Sequence, residues 1–159
     1  MKDFLVRLLA SGGFVSYIPA GLTGFKKFTG AGWAGTLVAV ALAPFLPGSD
    51  ARYALFLAAF FPVSVLIASL AEKSFASHDD PRIVIDEIIG YWVAIAFLPR
   101  APFTLAAAFV FFRLLDTLKP WPIKAAETRL TGGFAIIMDD LLAGAGANLL
   151  TRLAAAALL

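Results

Sequence analysis

The sequence predicts an all-α fold, a membrane-embedded bundle of about five to six helices with some segments short or interfacial. Three observations predict it. Of 159 residues, 60% are hydrophobic and only 15% are charged, and the mean hydropathy is +0.86, more apolar than a soluble globule. Apolar segments of helical length alternate with turns punctuated by proline and glycine. The charges, finally, collect at alternate connections instead of being spread evenly. The length suits one domain over 1–159, made of an interfacial segment, 1–30, and a bundle, 33–159.

Taken in order, residues 1–30 mix apolar residues with Gly12, Gly13, Gly21, Gly24 and Gly30 and the basic pair Lys26-Lys27. That mixture predicts one or two short interfacial helices joined by glycine turns. No signal-peptide h-region or cleavage pattern follows Lys2 and Arg7, so the start reads as mature protein. A first apolar segment runs from Trp33 to Leu46 and is closed by Pro47-Gly48. A second, Tyr53 to Ala71, has about the length that crosses a bilayer, roughly 20 residues, with a kink expected at Pro62. A third, Ile88 to Leu98, and a fourth, Ala101 to Leu115, meet at the turn Pro99-Arg100-Ala101-Pro102, and both are short for spanning. Pro120 and Pro122 stop the helix before a polar connector, and Phe134 to Leu159 is apolar except for Asp139-Asp140, Asn148 and Arg152.

Placing 1–30 in the cytoplasm puts Lys2, Arg7, Lys26, Lys27, Lys73, Arg82, Arg113, Lys119, Lys124 and Arg129 inside or at inner helix ends. Only Arg52, Arg100 and Arg152 then lie outside. Of the 11 acidic residues only Asp50 is outside, so the acids converge near the cytoplasmic face. With no cysteine and one histidine, disulfides, thiolate sites and ordinary zinc sites are excluded. A net charge of +2 without basic runs excludes nucleic acid as a partner.

Carboxylates therefore carry whatever chemistry there is. Asp86-Glu87 sits where the charged loop His78–Arg82 runs into an apolar segment, a costly place unless a cation or hydrogen bonds replace water. Asp139-Asp140 lies about two turns inside a helical pattern. Its carboxylates point roughly 100° apart, so both serve one cluster only if other helices pack close, as Ala143, Gly144 and Gly146 permit. Acids at helix starts favoured by the macrodipole are the bland account of both pairs. Arg113 and Asp116 share a helical face, either as a plain ion pair or as a phosphate-binding arginine beside a metal-binding aspartate, and Lys119 follows. Oxygen-only ligands with neighbouring Arg and Lys suit Mg²⁺ and a phosphate group. Glycines around Gly35-Thr36 could offer backbone N–H groups to an anion, a weak signal by itself, and His78 reads as a loop residue.

Three motifs now stand in order. His78-Asp79 with Ile83–Gly90, Phe112-Arg113-Leu114-Leu115-Asp116 with Lys119-Pro120-Trp121-Pro122-Ile123, and Gly132-Gly133 with Met138-Asp139-Asp140 and Ala143-Gly144 resemble the phosphatidylglycerophosphatase A family over about residues 30–150. The resemblance implies a central helix, either the one starting at Asp86 or the one carrying Asp139. It also implies Mg²⁺-dependent hydrolysis of phosphatidylglycerophosphate to phosphatidylglycerol and phosphate at a bacterial inner membrane, the chain crossing several times with its site on the cytoplasmic face. The family's glycine-rich opening, Pro-Gly-Thr-x-Gly-Ser/Thr, reads Ala31-Gly32-Trp33-Ala34-Gly35-Thr36 here, so a hydroxyl at position 33 is lost.

On that reading Asp86, Glu87, Asp139 and Asp140, with Asp79 and Asp116, hold one or two Mg²⁺ ions, and the same acids except Asp79 are the catalytic set. Arg113, Lys119 and Arg82, with Gly35 and Thr36, meet the phosphate. Attack by water and an aspartyl-phosphate intermediate both remain open. Membrane lipids are the expected surroundings, and a homodimer is admitted with no residue assigned to it. The alternative is a small cation transporter or channel subunit using intramembrane carboxylates. The clustering of acids at one face counts against it. A CDP-alcohol phosphotransferase would need an Asp-x-x-Asp-Gly-x-x-Ala-Arg signature, which the sequence lacks.

Overall fold

A computed structural model of the chain describes residues 2–23, 30–77 and 80–157. The described residues form eight α-helices, one 3₁₀ turn and no strand. The all-α expectation holds, and the count exceeds five to six because the interfacial segment and the polar connector contain short helices of their own. These are α1 (Lys2–Ala10), α2 (Tyr17–Leu22) and α7 (Ile123–Arg129). The bundle consists of α3 (Ala31–Leu42), α4 (Asp50–Phe75), α5 (Ile85–Ala94), α6 (Pro102–Leu118) and α8 (Gly132–Ala157).

Helix α5 is the centre. It packs against α3, α4, α6 and α8, and its residues Ile85, Asp86 and Ile88–Trp92 are buried. It crosses α8 where two glycines meet: a Cβ on Gly144 would collide with the carbonyl oxygen of Gly90, and one on Gly90 would lie 2.8 Å from the carbonyl oxygen of Asp140. That contact brings the backbone of α8 at Asp140 against the first turns of α5. Tyr91 and Phe112 are fully buried beside the crossing, each contributing about 1.5–3 kcal/mol by burial. The Trp92 indole donates to the Ala39 carbonyl at 3.1 Å, and its own carbonyl accepts the Tyr53 hydroxyl at 2.7 Å.

The helix boundaries differ from the apolar segments in informative ways. Helix α5 begins at Ile85 and stops at Ala94, so Asp86 and Glu87 occupy its first turn and its length is about 15 Å at 1.5 Å per residue. Its end lies inside the bundle, where side chains of α8 satisfy the released carbonyls. Asn148 donates to Val93 (3.4 Å), Ala94 (2.9 Å) and Ala96 (2.9 Å). Arg152 donates to Ala96 (3.2 Å) and Phe97 (3.3 Å). The apolar run continued to Leu98, but the helix cannot, because these caps end it.

Helix α4 is continuous through Pro62 and ends at Ala76, which takes a left-handed φ of 51°. Helices α4 and α8, each 26 residues, are long and apolar enough to cross a membrane. Helix α5 is not. On the N-terminal side Ala10 accepts the Val84 backbone N–H at 2.8 Å, which ties the end of α1 to the turn that starts α5.

Candidate active site

The first turn of α5, the third turn of α8 and the C-terminal end of α6 converge at one end of the bundle. Asp86, Glu87 and Asp140 each place a carboxylate oxygen within 4.8 Å of the other two. Asp86 and Asp140 are buried, 8% and 3% exposed. Three carboxylates brought this close in an apolar bundle repel one another unless protons or cations intervene. Burial pushes the Glu87 carboxyl up to about 7; Asp116 adds to the rise, while a hydrogen bond with Asp86 and the charge of Arg113 oppose it. Glu87 Oε2 is buried with no hydrogen-bond partner. An oxygen-only donor set with an orphaned carboxylate oxygen fits a hard divalent cation.

Arg113, from α6, stands beside this trio. Its Nη1 lies 2.9 Å from Asp116 and 3.8 Å from Glu87, and it donates to Thr36 Oγ1 at 3.4 Å. Its Nε is buried without a partner. The guanidinium carbon sits 5.6 Å from the Trp33 ring centroid and 5.9 Å from that of Phe112, so aromatic faces hold its plane.

The start of α3 closes the same space. Gly30, with φ 78°, precedes the helix, and Gly32 follows directly against the charged groups. A Cβ on Gly32 would collide with Glu87 Oε1 and come within 2.9 and 3.1 Å of the Arg113 Nη atoms. Gly32 was not among the expected phosphate ligands. Its signal was present in the run Ala31-Gly32…Gly35, but nothing in the sequence says which glycine faces the acids. Gly35 faces Val84, whose Cβ a side chain would approach to 2.6 Å, so it serves packing between α3 and the α5 turn. Thr36 donates to the Gly32 carbonyl at 2.8 Å and accepts from Arg113, so it orients the arginine.

The adjacent aspartates of α8 part company, as their angular separation on a helix requires. Asp140 joins the trio, whereas Asp139 lies 2.7 Å from Lys119 Nζ, and Glu127 of α7 holds the same ammonium at 3.0 Å. Lys119 ends α6 in a left-handed conformation, φ 43°, which directs it to both acids. Burial acts to lower its pKa, but Asp139 and Glu127 outweigh burial and raise it. Lys119 is thereby paired with Asp139 and Glu127, and Asp116 with Arg113. Arg82 is engaged elsewhere: Nε and Nη2 each lie 2.7 Å from Asp80, and the guanidinium lies 4.0 Å above the Phe75 ring. Asp79, expected as a metal ligand, lies outside the described residues.

A family model for phosphatidylglycerophosphatase A matches residues 9–155. Among curated proteins the chain is similar to Phosphatidylglycerophosphatase A of Escherichia coli (strain K12), 40% identical over 83 residues, which cover 52% of this chain and 48% of that protein. It is also similar to Phosphatidylglycerophosphatase A of Haemophilus influenzae, 33% identical over 111 residues, covering 69% of this chain and 67% of that protein. The match thus spans about half the length of the first relative and about two thirds of the second. No solved structure matches the chain.

Proposed function

We propose that this chain, which belongs to the phosphatidylglycerophosphatase A family, hydrolyses the terminal phosphomonoester of phosphatidylglycerophosphate to phosphatidylglycerol and inorganic phosphate. The observation that carries the reading is the meeting of Asp86, Glu87 and Asp140 beside an arginine whose Nε is buried and unpaired. Such a pairing of acids and guanidinium suits a doubly charged phosphate and a divalent cation together.

Asp86, Glu87 and Asp140 would hold the cation, Mg²⁺ in this reading. When bound, the cation would supply positive charge that offsets the phosphate oxygens. The remaining work falls to the chain. Arg113, steadied by Asp116, Thr36 and the Trp33 face, meets the phosphate oxygens with a fixed donor plane. Gly32 leaves room for them at the start of α3, where backbone N–H groups favour an anion. Lys119 holds Asp139 and thereby the second turn of α8, fixing the direction of Asp140. Water adds to phosphorus, the ester P–O bond breaks and the departing lipid oxygen takes up the proton that the water gives up, so the site needs to supply positioning and charge stabilisation.

Helices α4 and α8 embed the protein in the bacterial inner membrane, with the carboxylate end at the cytoplasmic face. Acyl chains then stay among lipids while the headgroup reaches the site. The test is phosphate release from phosphatidylglycerophosphate in detergent micelles, with Mg²⁺ or with EDTA. Release that needs the cation is the expected outcome; no release from folded protein with Mg²⁺ present would sink the assigned activity.

A further inference from the structure

A second charged concavity lies away from the carboxylate site. A crevice of about 610 Å³ opens between α1 and the Phe75 end of α4, and none of its lining residues belongs to the site above. Three cations, Lys2, Arg7 and Lys73, line it with a single acid, Asp3. Arg7 is fixed there: it donates to Ser74 Oγ at 2.9 Å and to the Ser74 carbonyl at 2.7 Å, and lies 5.2 Å from the Phe75 centroid. Lys2 and Lys73 are exposed, and no hydrogen bond or ion pair engages either side chain among the described residues. Cations gathered around one hollow repel unless an anion joins them.

The floor of the crevice is aliphatic, with Leu5 from α1 and Leu70 from α4. Leu70 ends an exposed stripe on α4: Val63, Leu66 and Leu70 are 46%, 58% and 40% exposed, and their spacing puts them on one helical face. An apolar track therefore runs along a candidate membrane-crossing helix and ends under a cationic seat. Inorganic phosphate would use only the seat, whereas an anionic phospholipid would use both. We propose that this crevice binds an anionic phospholipid of the surrounding membrane, its phosphodiester between Lys2, Arg7 and Lys73 and an acyl chain along Val63, Leu66 and Leu70.

The test uses the full chain in detergent micelles and reads lipid binding by native mass spectrometry, so it does not depend on the phosphatase reading. Dioleoylphosphatidylglycerol is compared with dioleoylphosphatidylcholine. At about 1 kcal/mol per basic residue near a membrane surface, three such residues should give a preference for the anionic lipid on the order of a hundredfold. Lys2→Gln with Lys73→Gln, both exposed positions, should reduce it to about fivefold, the share left to Arg7. Arg113→Gln should leave it intact, and excess glycerol 3-phosphate should not displace the lipid. A preference undiminished by the double lysine substitution, lost in Arg113→Gln, or abolished by glycerol 3-phosphate would overturn the proposal.

Discussion

Helix α8 presents polar side chains to the two ends of α5, and they are treated differently. Toward its end, Asn148 and Arg152 donate to the carbonyls released where α5 stops, so the donors are matched by acceptors. Toward its start, Asp140 faces Asp86 and Glu87, with Glu87 Oε2 and Arg113 Nε left without hydrogen bonds. Burying a polar group without a partner costs about 1–3 kcal/mol. A fold tolerates that where a ligand supplies what is missing, which supports placing the proposed site at the unmatched level, whereas the matched level serves the fold.

The contrast predicts which changes separate activity from stability. The largest effect belongs to Asp140→Asn or Asp86→Asn, each removing a carboxylate that would hold the cation. We expect phosphate release to fall roughly a thousandfold, since such charge stabilisation is worth several kcal/mol. Thermal denaturation in EDTA should show the variants no less stable than the native chain, because crowded negative charge is relieved. Variants that unfold in EDTA would make the trio structural and erase the distinction.

Next comes Arg113→Lys, which keeps a charge and loses the planar donor set; activity should drop about a hundredfold. Gly32→Ala should follow, at about tenfold or more, because its Cβ must displace the ends of Glu87 and Arg113 rather than backbone. A melting temperature close to native with this loss would assign Gly32 to the site; a collapse in stability would assign it to packing. At the matched level, Asn148→Ala should cost about 2–3 kcal/mol of stability by stranding carbonyls, while activity per folded molecule stays within about twofold. The smallest effect on activity is expected for Asp80→Asn, whose cost falls on stability, about 1–3 kcal/mol, since buried Asp80 accepts from the Arg82 side chain and backbone N–H.

Much of this was legible in the chain, and the limits have physical causes. Acids in a charge-poor sequence announced themselves at Asp86, Glu87, Asp139 and Asp140. Helical geometry also showed that neighbours in sequence point different ways. It could not show which aspartate would face α5, because that depends on how α8 is rotated at the Gly90–Gly144 crossing, a property of packing. Apolar runs located the helices but overstated α5, since hydrophobicity continues past Ala94 while hydrogen bonding does not. Asn148 and Arg152 looked like interruptions of an apolar helix and prove to be the reason another helix ends. Gly32 and Gly35 were indistinguishable as letters; only the neighbours of each, Glu87 with Arg113 and Val84 respectively, separate them.

The truncated α5 also acts as a ruler. Its acids stand at one end and its caps at the other, separated by about 15 Å, and the capped end is fastened to α8 by the Asn148 side chain. Changes in bilayer thickness can tilt long helices such as α4 and α8, but they have little purchase on a helix whose length is closed off within the protein. On the proposed membrane placement, the depth of the carboxylates would be set by the chain itself, so the site should keep its reach across membranes of different acyl length.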